Sequence, residues 1–143
     1  MIKNFRHVCI LVTHLDKSLK FYRDIIGLKV SKILTVEGEY LETVFGIKGA
    51  KLTYVKMCNP KPAKDNPPIF ELHHWEHPKI LPKSGYGHIS FTIKDIDSEY
   101  KRLSRLGVRF ISKPIKTPYT NTKVCFGHDP DNNLIEFVEE LET

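Results

Sequence analysis

An internal repeat constrains a fold more than any local propensity does, and this chain repeats itself. With His7 set over His88, the stretch RHVCILVTHLDKSLKFYRDIIGLKV (6–30) falls into step with YGHISFTIKDIDSEYKRLSRLGVRF (86–110). Val8 meets Ile89, Val12 meets Ile93, Leu15 meets Ile96, Asp16 meets Asp97, and Gly27 meets Gly107 after a one-residue gap. Each copy reads strand, turn, helix, glycine stop, strand. At 143 residues the length suits one domain, so the copies are two modules of it, about 1–80 and 84–143.

In the first copy, Phe5–Thr13 alternates as a strand does, with Val8, Ile10 and Val12 on one face and His7, Cys9, Leu11 and Thr13 on the other. Asp16 occupies a helix N-cap position. Leu19, Tyr22 or Phe21, Ile25 and Ile26 then recur at helical spacing until Gly27 stops the helix, which covers the aliphatic face of the strand. Strands follow over Leu28–Val36 and Lys51–Cys58, joined by an irregular connection with room for a helical turn. Asn59–Pro68 holds four of the nine prolines and is a loop. Ile69–His74 is the fourth strand, with Phe70 and Leu72 on one face and Glu71 and His73 on the other. Trp75–Gly85 is the linker between modules.

The second copy repeats the scheme. His88, Ser90 and Thr92 face away from Ile89, Phe91 and Ile93. Asp95 or Asp97 caps a helix with an apolar stripe of Tyr100, Leu103 and Leu106, and Gly107 ends it before a strand over Val108–Ile111. After a loop over Ser112–Thr120, strands Lys123–His128 and Leu134–Glu139 are joined by the turn-forming DPDNN. On the last strand Glu136 shares a face with Leu134 and Val138, so LIEF echoes IFEL of the first copy.

Composition narrows the function classes. No apolar run reaches the roughly 20 residues of a membrane span, and the N-terminus runs into patterned sequence without a signal-peptide cleavage site. A cytoplasmic protein with no membrane partner is expected. Cys9, Cys58 and Cys125 are odd in number and widely spaced, which argues against a disulfide framework or a cysteine zinc site; buried thiols are expected. The net charge of +5 is scattered and not gathered into a run, which excludes nucleic acid as the expected partner and leaves a small-molecule substrate.

Each module thus supplies one histidine and one glutamate on a strand face opposite its helix-covered side. If an approximate two-fold relates the copies, His7, Glu71, His88 and Glu136 come together, two imidazoles and two carboxylates suited to a borderline divalent cation. With no thiolate in that set and too few oxygens for calcium, nickel, cobalt, zinc, manganese and ferrous iron all remain. Cys9, Leu11, Ser90, Thr92 and Val138 are expected on the floor beside these ligands. The three histidines of HHWEH (73–77) suggest a second cation, but extended backbone turns His73 and His74 to opposite faces, so the expectation there is a polar strand end.

The two βαβββ copies, the opening HVCILVTHLDKSLKFYRDIIGLKV and the GHISF, DPDNN and LIEF segments resemble the vicinal oxygen chelate superfamily, which includes glyoxalases, bleomycin resistance proteins and extradiol dioxygenases. The resemblance covers essentially the whole chain. It implies an α+β fold of two tandem modules whose cupped mixed β-sheets enclose a metal cleft, with helices outside. It carries the metal ligands onto His7, Glu71, His88 and Glu136, and glutamate at the second position resembles the glyoxalase I (lactoylglutathione lyase) branch.

The implied activity is that of a metal-dependent lyase or isomerase. Its metal chelates vicinal oxygens of a hemithioacetal or similar substrate and stabilises an enediolate while a carboxylate moves a proton between carbons. Glu136 is assigned as that base, with Glu71 second. Members that use glutathione carry a basic residue four positions after the first ligand, where this chain has Leu11, so a thiol cosubstrate is left open. The alternatives on the same scaffold are a methylmalonyl-CoA-epimerase-like epimerase, a ring-cleaving dioxygenase and a metal-free drug-binding module. The resemblance also implies a homodimer, since the open edge of a half-barrel needs another module.

Overall fold

The alternating stretch at the N-terminus forms strand β1, Ile2–Leu11. The computed structural model describes residues 1–25, 27–59, 67–79, 85–128 and 132–142. It divides into two compact units, one of His7–Glu37 with Gly49–Gly87, the other of Met1–Arg6 with Gly38–Lys48 and His88–Thr143.

In the unit that starts at His7, β1 is followed by α1, Leu15–Leu19, and a π-helical turn, Lys20–Ile25. Then come β2, Lys29–Glu37, β3, Lys51–Cys58, and β4, Phe70–His77. The sheet order is β2-β3-β4-β1, antiparallel except for the parallel pairing of β4 with β1. Leu19 packs with Val55, Met57 and Leu72, flanked by Ile10, Val12 and Tyr22, so the helix covers the aliphatic face as the periodicity requires. The Tyr22 and Phe70 rings lie 4.9 Å apart.

Three expectations change in this unit. Asp16 is not the cap: backbone leaves the extended region at His14 (φ −132°, ψ 98°), which takes the N-cap position without a side-chain hydrogen bond, and Asp16 sits in the first turn. A carboxylate there still meets the positive end of the helix. The one-residue gap in the repeat corresponds to the π-helical turn, which takes up a residue that the equivalent helix lacks. Trp75–His77, expected in the linker, continue β4, because Leu52 and Lys51 of β3 pair with Trp75 and His77. The side chains of Phe21 and Ile25, residue 26, residues 60–66 of the proline-rich loop and residues 80–84 of the linker lie outside the described residues.

The other unit contains α2, Glu39–Phe45, β5, Gly85–Ile93, α3, Ile96–Arg105, β6, Arg109–Phe110, β7, Ile115–Lys116, β8, Thr122–His128, and β9, Leu134–Glu140. Its sheet order is β5-β9-β8-β6, with β5 parallel to β9 and β7 pairing with β8. The expected strand over Val108–Ile111 shrinks to the two residues of β6, and part of the expected loop over Ser112–Thr120 pairs as β7. Residues 129–131 of DPDNN lie outside the described residues; β8 and β9 pair down to His128 opposite Leu134.

Helix α3 packs through Ile96, Tyr100 and Leu103 on Ile93, Cys125 and Phe137. Asp95 is its cap, accepting a hydrogen bond from the Ser98 amide at 3.1 Å, and Glu139 of β9 accepts from the amides of Asp95 and Ile96. Leu106 does not join the stripe: it is 69% exposed, because the helix has already ended at Arg105. Glu99 is buried in this helix, and hydrogen bonds from Arg102, then from the N-terminal ammonium, hold its carboxyl down at about 2.

Helix α2 comes from the middle of the first repeat, yet its Val44 and Phe45 pack on Val124, Phe126 and Val138, the Phe45 and Phe126 rings lying 4.8 Å apart. The mixed sheets and few helices make an α+β fold of two βαβββ repeats, as expected. Among the described residues no helix is long and apolar enough to cross a membrane.

Candidate metal centre

Parallel pairing of the first and last strands of each repeat sets the position of its histidine and glutamate. In the unit that starts at His7, Cys9 of β1 stands opposite Glu71 of β4, and in the other unit Ser90 of β5 stands opposite Glu136 of β9. The glutamate therefore pairs in both repeats with the residue two positions after the histidine, on the same sheet face. The distances repeat as well: His7 Nε2 lies 3.4 Å from Glu71 Oε2, and His88 Nε2 lies 3.5 Å from Glu136 Oε2.

These separations suit shared coordination. Two donors each about 2.0–2.2 Å from one ion stand roughly 3–3.5 Å apart, and the donors here are imidazole nitrogen and carboxylate oxygen, the set that borderline dications accept. His7, Glu71 and His88 are buried, and the Glu136 side chain is 15% exposed. Burying such groups is costly unless a hydrogen bond or an ion compensates it. Beside Glu136, Ser90 is fully buried and its hydroxyl has no hydrogen-bond partner among the described residues, so this face has polar capacity still to be satisfied. The residues present therefore fit a divalent cation.

His73 was expected to be a polar strand end. It is instead 5% exposed, with Nε2 at 3.1 Å from Glu71 Oε2, while His74 on the other face is half-buried. The two do not share a face, as the strand alternation requires. Lys56 also approaches Glu71, Nζ to Oε1 at 3.9 Å, and lies over the Tyr54 ring at 5.6 Å. Cys9 is fully buried on the same face, with its sulfur within 4.8 Å of donor atoms of Glu71 and His73. Alternation already placed Cys9 with His7, and His73 with Glu71; it could not tell which of these face-sharing side chains would come within reach.

At the ends of β1 and β4 the same unit has a groove of about 650 Å³ lined by Leu11, Thr13, Lys51, His74, Trp75 and His77. Lys51 there is paired with Glu76 at 3.3 Å and Glu37 at 3.8 Å. In the other unit burial pushes the Cys125 thiol up to about 12, with Glu136 adding to the shift, which leaves that thiol unreactive.

Two repeats of one βαβββ plan, each presenting a buried histidine beside a glutamate from its own last strand, define a protein of the vicinal oxygen chelate class. Residues 4–137 match the model of the Glyoxalase/Bleomycin resistance protein/Dioxygenase superfamily, and the chain belongs to that family. It is 31% identical over 96% of its length to a lactoylglutathione lyase of Schizosaccharomyces pombe, of which it spans only 47%. It is 29% identical to a probable lactoylglutathione lyase of Synechocystis, covering 93% of this chain and 92% of that one. Among solved structures, methylmalonyl-CoA epimerase from Mycobacterium tuberculosis aligns with a TM-score of 0.70 at 19% identity, over 99% of this chain and 90% of that one, a likeness of fold alone.

Proposed function

We propose that the protein is a metal-dependent lyase or isomerase of glyoxalase type, acting on a hemithioacetal or a similar small substrate with vicinal oxygens. The observation that carries this reading is the same histidine–glutamate pair, at nearly the same distance, in both repeats. The relatives named lactoylglutathione lyase support this reaction class, whereas the epimerase likeness supports only the fold.

In this reading His7, Glu71, His88 and Glu136 hold one divalent cation, of nickel, cobalt, zinc, manganese or ferrous iron. When bound, the cation acts as a Lewis acid on the two substrate oxygens and lowers the cost of removing a proton from the carbon beside them. Glu136 takes that proton on a carboxylate oxygen and returns it to the neighbouring carbon. Glu71 suits the work less well, since His7, His73 and Lys56 all crowd its oxygens and its side chain is 6% exposed against 15% for Glu136.

The test is Glu136→Gln, assayed with methylglyoxal and several thiols. Turnover should fall by about a hundredfold or more, the usual contribution of a positioned base, while metal content measured by elemental analysis falls much less. Equal loss of both would sink the base assignment. Activity instead on methylmalonyl-CoA or on a catechol would overturn the glyoxalase reading. The same reading takes the protein as a cytoplasmic homodimer. Three cysteines present as thiols suit a reducing compartment, and Ile33 on the edge strand β2 is 49% exposed, as a surface awaiting a partner would be.

A further inference from the structure

Glu71 has more donors around it than one histidine–glutamate pair uses. Cys9 Sγ, a carboxylate oxygen of Glu71 and a ring nitrogen of His73 lie within 4.8 Å of one another, and the three residues are 0%, 5% and 5% exposed. They come from two adjacent parallel strands, Cys9 opposite Glu71 and Leu11 opposite His73. We propose that Cys9, Glu71 and His73 form a thiolate-bearing site for a zinc-like or cobalt(II)-like dication, sharing only Glu71 with the His7–Glu71 pair. The proposal goes beyond the four-residue ligand set and stands without it.

Charge and donor type both favour such an ion. A thiolate and a carboxylate neutralise a dication, and a neutral imidazole completes a sulfur, oxygen and nitrogen set of the kind zinc and cobalt accept. Burying the two anions is offset by the cation, and the thiol proton leaves to solvent as the metal binds. Donors around a four-coordinate zinc stand about 3–3.8 Å apart; His73 and Glu71 already meet at 3.1 Å, and the sulfur lies within 4.8 Å of both.

The surroundings hold the donors in place. A Cβ on Gly87 would lie 2.7 Å from Cys9 Sγ and 3.0 Å from the Cys9 carbonyl oxygen, so only glycine leaves the sulfur its position. Tyr54 stands opposite His73 with ring centroids 6.3 Å apart, and the Lys56 ammonium over Tyr54 reaches the Glu71 oxygen, the kind of outer contact that orients metal ligands.

The experiment uses the full chain, stripped with a chelator and loaded with one equivalent of cobalt(II) under a phosphine reductant, so that no added thiol supplies sulfur. Wild-type protein should show a near-ultraviolet thiolate-to-cobalt charge-transfer band. The band should survive in His7→Gln, disappear in Cys9→Ser, and weaken or shift in His73→Gln, with circular dichroism checking that each variant folds. Because buried Cys9 is a demanding site to change, X-ray absorption of the zinc-loaded wild type gives a second reading, with a sulfur shell expected at about 2.3 Å. The proposal is overturned if cobalt binds without the band, if cobalt does not bind, if the band persists in Cys9→Ser, or if the zinc shell contains no sulfur. None of these signatures depends on turnover, so a sulfur-ligated but inactive protein would defeat the glyoxalase reading alone, and an active protein without sulfur ligation would defeat this one alone.

Discussion

Single residues decide what the ligand face can hold. Gly87 has no room for a side chain, because the nearest atoms to an added Cβ are the Cys9 sulfur and backbone. Gly87→Ala should therefore cost about 1–3 kcal/mol, the usual penalty for overpacking a filled interior, read as a lower urea midpoint at unchanged slope. An unchanged midpoint would show that the contact relaxes freely. His73 illustrates what a sequence conceals at this scale. Strand alternation put it on the face of Glu71, but nothing in HHWEH tells whether a histidine at that point is solvated or buried at 3.1 Å from a carboxylate. That outcome depends on Tyr54 and Lys56 of β3, which register sets beside His73 and Glu71 respectively.

At the scale of elements, the two repeats begin their helices differently although their sequences align. Asp95 accepts from the Ser98 amide and so caps α3, while the equivalent place before α1 is His14, which makes no such bond. Asp95→Ala should lower stability by about 1 kcal/mol, and Asp16→Ala by only a few tenths, the value of a carboxylate near a helix N-terminus. Thermal unfolding of the two variants distinguishes them, and equal losses would mean that Asp16 does cap. Eight of the strands and the two repeat helices were legible from alternation and from glycine stops, β6 as a longer strand than the two residues that pair. The pairing of β7 was not, since a two-residue strand carries no period of its own. The one-residue gap between the repeats was visible in the sequence, but its outcome as a π-helical turn was not.

For the whole molecule, the expected homodimer is checked by light scattering coupled to size exclusion, which should give twice the chain mass of 16.6 kDa. A monomer that retains activity would refute a site shared between subunits. The sequence by itself determined the two-module βαβββ plan, the helix-covered faces, and the pairing of His7 with Glu71 and of His88 with Glu136 on the opposite faces. It could do so because strand period, helix period and repeat register are all local or self-referential properties of the chain. Only the tertiary structure decided that α2, from the middle of the first repeat, packs on Phe126 and Val138. It alone decided that Cys9 and His73 crowd the same glutamate. The α2 packing and the approach of Cys9 to Glu71 join residues far apart in the chain, and His73, only two residues from Glu71, is buried against it by the same strand register and packing volume, which no local pattern encodes.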